Sequence, residues 1–204
     1  MLSSRSPAAS PLLVDLDGVV REWEPAFVAT TESRHRLPAG SLYRAAYIDD
    51  GMLPALLGSI SHEEWQQRVH ERLSRFGAGA GAAVLEWSAA IGVRRADVLA
   101  VLAHERHRRP VVLLANATSR LYQDLENLGL AESFDAVLTS FELGMTKPDP
   151  RLFEHACAVL GRTPSECLFV DDSASTVRAA ARLGLRTHLF RGTRGLVDFL
   201  EREG

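Results

Sequence analysis

Short apolar runs and helix-spaced segments alternate along most of this 204-residue chain. Continuous apolar stretches at 12–14, 110–115 and 167–170, with a further run at 134–139, have the character of strands covered on both faces of a parallel sheet. A last strand is predicted at 185–190. Between them, 119–130, 150–161, 174–183 and 196–202 carry apolar residues at helical spacing. Strand–helix units with short connections predict an α/β fold, a Rossmann-like doubly wound parallel sheet with the 12–14 strand near its centre.

The strand rhythm stops between 21 and 109, where only helices are predicted. Ser61-His62-Glu63-Glu64 has the spacing of a capping box and opens a helix through Trp65, Val69 and Leu73. A second helix over 96–107 shows Val98, Leu99, Val101 and Leu102 on one side, and 77–81 is a glycine-rich break. The expected organisation is a core of 1–20 and 110–204 interrupted by a helical insertion at 21–109.

Ligands of such sheets bind beyond the C-terminal ends of the strands. The first strand runs into Asp15-Leu16-Asp17-Gly18. In extended chain residues two apart point the same way, so Asp15 and Asp17 can face one pocket while Gly18 lets the backbone turn away. Two acids so placed repel unless a cation lies between them or one holds a proton. The alternative is a solvated pair at a strand end. The second strand ends in Ala115-Asn116-Ala117-Thr118, the third is followed by Gly144-Met145-Thr146-Lys147-Pro148-Asp149-Pro150, and the fourth ends in Asp171-Asp172-Ser173. Four ends thus bring acids, an amide, hydroxyls and a lysine to one rim.

That lysine, Lys147, is the only one among 23 basic residues. Arginine replaces lysine on most surfaces but not where a compact ammonium is needed, so the exception points to a function. The formal charge of −3 supplies no basic field for nucleic acid, so an anionic ligand needs local help. No stretch is long enough to span a membrane. Cys157 and Cys167 are too few for a disulfide framework and read as core fillers. Residues 1–10 are Ser/Ala/Pro-rich without an apolar signal core, so a fraying tail and a cytoplasmic protein are expected.

With its four strand-end motifs in order from Leu12 to Ser173 and a helical insertion after the first, the chain resembles the haloacid dehalogenase-like (HAD) hydrolase superfamily. The resemblance implies that Asp15 is a nucleophile forming an aspartyl-phosphate, that Asp17 is the acid and then the base, and that Lys147 holds the negative charge. It implies Mg²⁺ bound by the Asp15 carboxylate, the Asp17 backbone carbonyl and Asp172, with Asp171 beside it. Asn116, Thr118 and Gly18 would then face the substrate, and the insertion would be the family's cap. Hydrolysis of a small phosphorylated metabolite follows as the expected activity. A sugar phosphomutase and a phosphate-binding or regulatory protein with weak or lost catalysis are the alternatives.

Several residues narrow the choice. Dehalogenating members lack the second aspartate, which is present here as Asp17, and phosphonate-cleaving members need a cap lysine, which 21–109 lacks. A metal-dependent glycosyltransferase with an Asp-x-Asp site would explain neither Lys147 nor Asp171-Asp172. The family's second motif usually places Ser or Thr before the Asn, whereas this chain has Ala115, one donor fewer for a phosphoryl group. Many relatives have an aspartate where Thr176 stands, and the Asp171-Asp172 pair supplies that second acid directly. Asp149 before Pro150 is read as a helix N-cap, as is Ser173. Trp65 and Trp87 are assigned to the core of the insertion, and Trp23 to a position that can close over the site. Arg34, His35, Arg36 and Arg44 are assigned to surface charge.

Overall fold

The computed structural model describes residues 9–49 and 51–203, so most of the stretch expected to fray lies outside the described residues. In chain order the first elements are β1 (Leu12–Val14), β2 (Arg21–Glu22), α1 (Phe27–Arg34) and α2 (Ser41–Tyr43), which continues into a π-helical turn, Arg44–Ile48. Then come α3 (Leu53–Leu56), α4 (His62–Ser74), α5 (Gly79–Ala89), β3 (Val93–Arg94) and α6 (Ala96–Glu105). The remainder alternates: β4 (Val111–Ala115), α7 (Leu121–Asn127), β5 (Ala136–Thr139), α8 (Ser140–Leu143) and α9 (Pro150–Val159). It closes with β6 (Leu168–Asp171), α10 (Ala174–Arg182), β7 (Arg186–Leu189) and α11 (Thr193–Arg202).

Five strands form one parallel sheet in the order β5–β4–β1–β6–β7. The central position of β1 matches expectation, with Leu12 opposite both Val111 and Leu168. The period of two sends alternate residues to opposite faces. Leu12, Val14, Val111 and Leu113 pack with α6, α7 and α11, while Leu13, Val112, Leu114 and Phe169 pack with α9 and α10. Both faces are therefore buried, which is why these runs are apolar without alternation.

The helical segment builds its own core around Trp65, Val69, Leu73 and Trp87. The capping box forms as predicted: Ser61 accepts from the Glu64 N–H at 3.1 Å, and Glu64 accepts from the Ser61 N–H at 2.9 Å. Trp65 and Trp87 meet edge to face at 5.0 Å.

Three expectations for 21–109 need correction. The region is not purely helical, because β2 and β3 pair as an antiparallel ribbon in which Arg21 faces Arg94. Two-residue strands rich in arginine carry no apolar alternation, so the pattern could not show them. Helix α6 does not belong with the insertion: Val98 and Leu102 are buried in the layer against the sheet. The glycine-rich break is also shorter than expected, since α5 already starts at Gly79.

Phe153 and Phe169 are fully buried and meet edge to face at 5.2 Å between α9 and the sheet. Phe153→Ala should destabilise the protein by about 3–5 kcal/mol, the usual cost of emptying an aromatic site in a close-packed core. Urea denaturation followed by tryptophan fluorescence checks this, and a loss below about 1 kcal/mol would contradict the packing described.

Candidate active site

The sheet's C-terminal edge gathers charge because successive strands stop at the same level. The Asp15 N–H still donates to the Val170 carbonyl at 2.9 Å, which continues the sheet one residue past β1. The chain then turns tightly: the Leu16 carbonyl accepts from the N–H groups of Val20 and Arg21, each at 2.8 Å. Gly18 makes this possible with φ +81, and a Cβ there would fall 2.1 Å from Asp172 Oδ2. Its lack of a side chain brings the first strand end against the fourth.

Lys147 enters from the connection between α8 and α9. Its backbone is gripped on both sides by the Asn116 amide, which donates to the Lys147 carbonyl at 2.9 Å and accepts its N–H at 2.8 Å. The Lys147–Pro148 peptide is cis. The ammonium is buried and lies 2.6 Å from Asp15 Oδ1 and 2.8 Å from Asp171 Oδ2, above the Phe169 ring at 5.8 Å. Asp171 Oδ1 accepts the Ser173 N–H at 2.8 Å, so both of its oxygens have partners.

Asp15, Asp171 and Asp172 each offer an oxygen within 4.8 Å of the others. The ammonium pairs with two of these three carboxylates, and the crowding of charge appears in the acidity of Asp15 and Asp172. Burial pushes the Asp15 carboxyl up from 3.8 to about 7; Lys147 opposes this and Asp171 adds to it. Asp172 is also raised, by burial first and then by Asp171. For Lys147 burial pulls the pKa down, but the two carboxylates outweigh it and the net shift is upward. A hard divalent cation fits this donor set, since it prefers carboxylate oxygens and would offset the excess negative charge.

Asp17 lies apart from these three. Arg21 Nε and Nη2 donate to its two oxygens at 2.6 and 3.0 Å, and Trp23 Nε1 donates to Oδ1 at 2.7 Å. Arg21 is itself buried and continues to Asp124 at 3.0 Å, which binds Arg120 Nε at 2.8 Å. Arg120 then donates to the carbonyls of Ser88, at the end of α5, and Ala90. Sequence reasoning overlooked Arg21, Asp124 and Arg120. The i, i+4 spacing of Asp17 with Arg21 and of Arg120 with Asp124 was the available signal, but the contact spanning 103 positions had none.

The predicted residues divide between two neighbouring chambers. Asp15, Lys147, Asp171, Asp172 and Gly18 line the rim pocket. Thr118 does not; its hydroxyl pairs with His62 Nδ1 at 2.8 Å in an adjoining cavity. Asn116 and Asp17 line both. Asp149 caps α9 by accepting the Arg151 N–H at 2.9 Å, and Ser173 caps α10.

Comparison with known proteins agrees with this architecture. The family model for haloacid dehalogenase-like hydrolases matches residues 12–184. A phosphoserine phosphatase of Thermus thermophilus is 41% identical over 90 residues, 43% of this chain and 36% of that protein. The human N-acylneuraminate-9-phosphatase is 29% identical over 103 residues, 50% of this chain and 42% of that protein. The matched stretches thus span less than half of either relative. A HAD family enzyme of Bacteroides thetaiotaomicron, crystallised with magnesium and inorganic phosphate, superposes with a TM-score of 0.76 at 20% identity, covering 89% of this chain and 93% of that one. At that identity the likeness is one of fold.

Gly18→Ala should drive Asp172 out of the acidic trio and strain a backbone at positive φ. The expected outcome is a loss of about 1 kcal/mol or more in stability and a clearly smaller rise in melting temperature on adding Mg²⁺. Thermal scans of both proteins across a Mg²⁺ titration check this; an unchanged Mg²⁺ response would remove Asp172 from the cation site.

Proposed function

Because the chain belongs to the haloacid dehalogenase-like hydrolases, we propose that it is a Mg²⁺-dependent phosphatase that cleaves phosphomonoesters of small metabolites. The observation that carries this reading is the Lys147 ammonium held between Asp15 and Asp171, with Asp172 completing a cluster of three acids. Phosphoryl transfer asks mainly for positioning and for neutralisation of charge, and this cluster supplies both. The relatives named as phosphatases and the neighbour crystallised with magnesium and phosphate support it.

In the proposed reaction an Asp15 oxygen attacks phosphorus, the ester P–O bond breaks, and Asp17 gives its proton to the departing oxygen. Asp17, now a carboxylate, takes a proton from a water whose oxygen attacks the same phosphorus. The bond from Asp15 to phosphorus then breaks and inorganic phosphate leaves. Asp15 and Asp172 would hold the Mg²⁺ with Asp171 beside them, and bound there it supplies positive charge against the carboxylates and phosphoryl oxygens. Lys147 fixes the attacking oxygen through its 2.6 Å contact. Asp17 must release an oxygen from Arg21 or Trp23 to reach the departing atom, so those two donors set its orientation between turnovers.

Ala115 favours a second reading, a phosphate-binding protein with weak turnover. It is the buried last residue of β4 and offers no hydroxyl, while the neighbouring Asn116 amide is spent on the Lys147 backbone.

Hydrolysis of p-nitrophenyl phosphate with Mg²⁺ separates the two. Wild type should turn over, Asp15→Asn should fall to background, and Asp17→Asn should lose about 10²–10⁴-fold in rate with Asp15 still present. Background activity in all three would favour the binding protein. Ala115→Ser should raise turnover about tenfold, the value of one hydrogen bond to a charged group. Unchanged or lower turnover would refute the role given to that position.

A further inference from the structure

Beside the rim pocket, and sharing Asp17, Trp23 and Asn116 with it, lies a cavity of about 420 Å³. The shared residues make it the space adjoining a phosphoryl centre at Asp15. Its chemistry is unlike that of the rim. Five aromatic rings line it, Trp23, Phe27, Tyr47, Trp65 and Trp87, together with the aliphatic side chains of Val28, Met52 and Leu56.

Both arginines in its wall are paired. Arg21 spends three nitrogens on Asp17 and Asp124, and Arg120 spends its own on Asp124 and on two backbone carbonyls. His62 is held between Thr118 and Gln66, and burial, then Arg120, lowers its pKa, which favours the uncharged ring. The remaining charge in the lining is Glu24, which is negative. Among the described residues no lining cation is left to meet a carboxylate or a second phosphate. Apolar rings in a concave site favour a flat apolar guest, and an anion moved there would lose its hydration without a partner.

We infer that the substrate's leaving group is a neutral, flat, largely apolar ring system seated in this cavity. The inference rests on the proposed phosphatase reading for the bond that is cleaved, and on the cavity lining for the group that is recognised. It separates the chain from enzymes that take phosphoamino acids or bisphosphates, because those substrates need a free cation beyond the phosphoryl site.

The test compares 2-naphthylmethyl phosphate with phosphoserine and glucose 1,6-bisphosphate under Mg²⁺; all three release alkoxides, so preference reflects recognition more than leaving-group acidity. Quenching of tryptophan fluorescence by 2-naphthalenemethanol is measured alongside and does not depend on turnover. The expected result is a kcat/KM for the naphthyl ester about tenfold or more above the other two, with saturable quenching. Leu56→Lys, which adds an unopposed cation to the wall, should shift the ratio of phosphoserine to naphthyl ester upward by about tenfold. Equal or greater turnover of the anionic substrates by wild type would overturn the inference and leave the phosphatase reading intact. Quenching without turnover of any ester would overturn the phosphatase reading while upholding the ring site, and absence of both would overturn the two together.

Discussion

The buried ammonium of Lys147 is the contact on which the site depends. Charges taken out of water are costly unless each is paired at short range, and breaking such a pair leaves the survivor uncompensated. Here one nitrogen serves two carboxylates, at 2.6 and 2.8 Å, from the ends of β1 and β6. A third strand end contributes through Asn116, which follows β4 and clamps the lysine's backbone. The lysine itself lies beyond β5. Four strand ends must therefore finish in register for the charges to meet. A guanidinium is larger and planar, with donors in a fixed fork, and would not fit between oxygens placed for a single nitrogen. That accounts for one lysine in a chain that otherwise uses arginine.

Much of this arrangement is legible in the order of the residues alone. The central strand, the parallel sheet and the capping box at Ser61 follow from local rules, because buried strands must be apolar and an open helix end needs an acceptor. The rim residues are legible for the same reason: a strand's direction fixes which end its following residues reach. Partners are what local rules leave open. Helix α6 shows one apolar side in sequence, and nothing in that pattern says whether Val98 and Leu102 meet the sheet or the helical segment. The β2–β3 ribbon is invisible because its residues are Arg21, Glu22, Val93 and Arg94, which alternate nothing. Thr118 is expected at the rim because it follows β4, yet a few further residues of chain turn its hydroxyl to His62.

Asp17 shows how the two chambers are joined. On one side stands an acidic rim suited to a metal and a phosphoryl group; on the other, an aromatic cavity whose two arginines are both paired. Asp17 borders both, and its carboxylate is oriented by Arg21 in the ribbon and by Trp23 just beyond it. Arg21 is held by Asp124 on α7, and Asp124 by Arg120, whose remaining donors end on backbone carbonyls at the close of α5. This chain of contacts links Asp17 through the sheet layer to the helical segment. From Arg21 to Arg120 the chain of alternating charges is largely buried, so each of these links left without its partner would carry a desolvation cost, while Asp17 at its end is partly open to solvent. The strand ends assemble Asp15, Lys147, Asp171 and Asp172, whereas Asp17 takes its orientation from the ribbon and, through Arg21, from α7. On the proposed reading, the group that meets the leaving atom is placed by Arg21 and Trp23, which also line the cavity proposed for the leaving group.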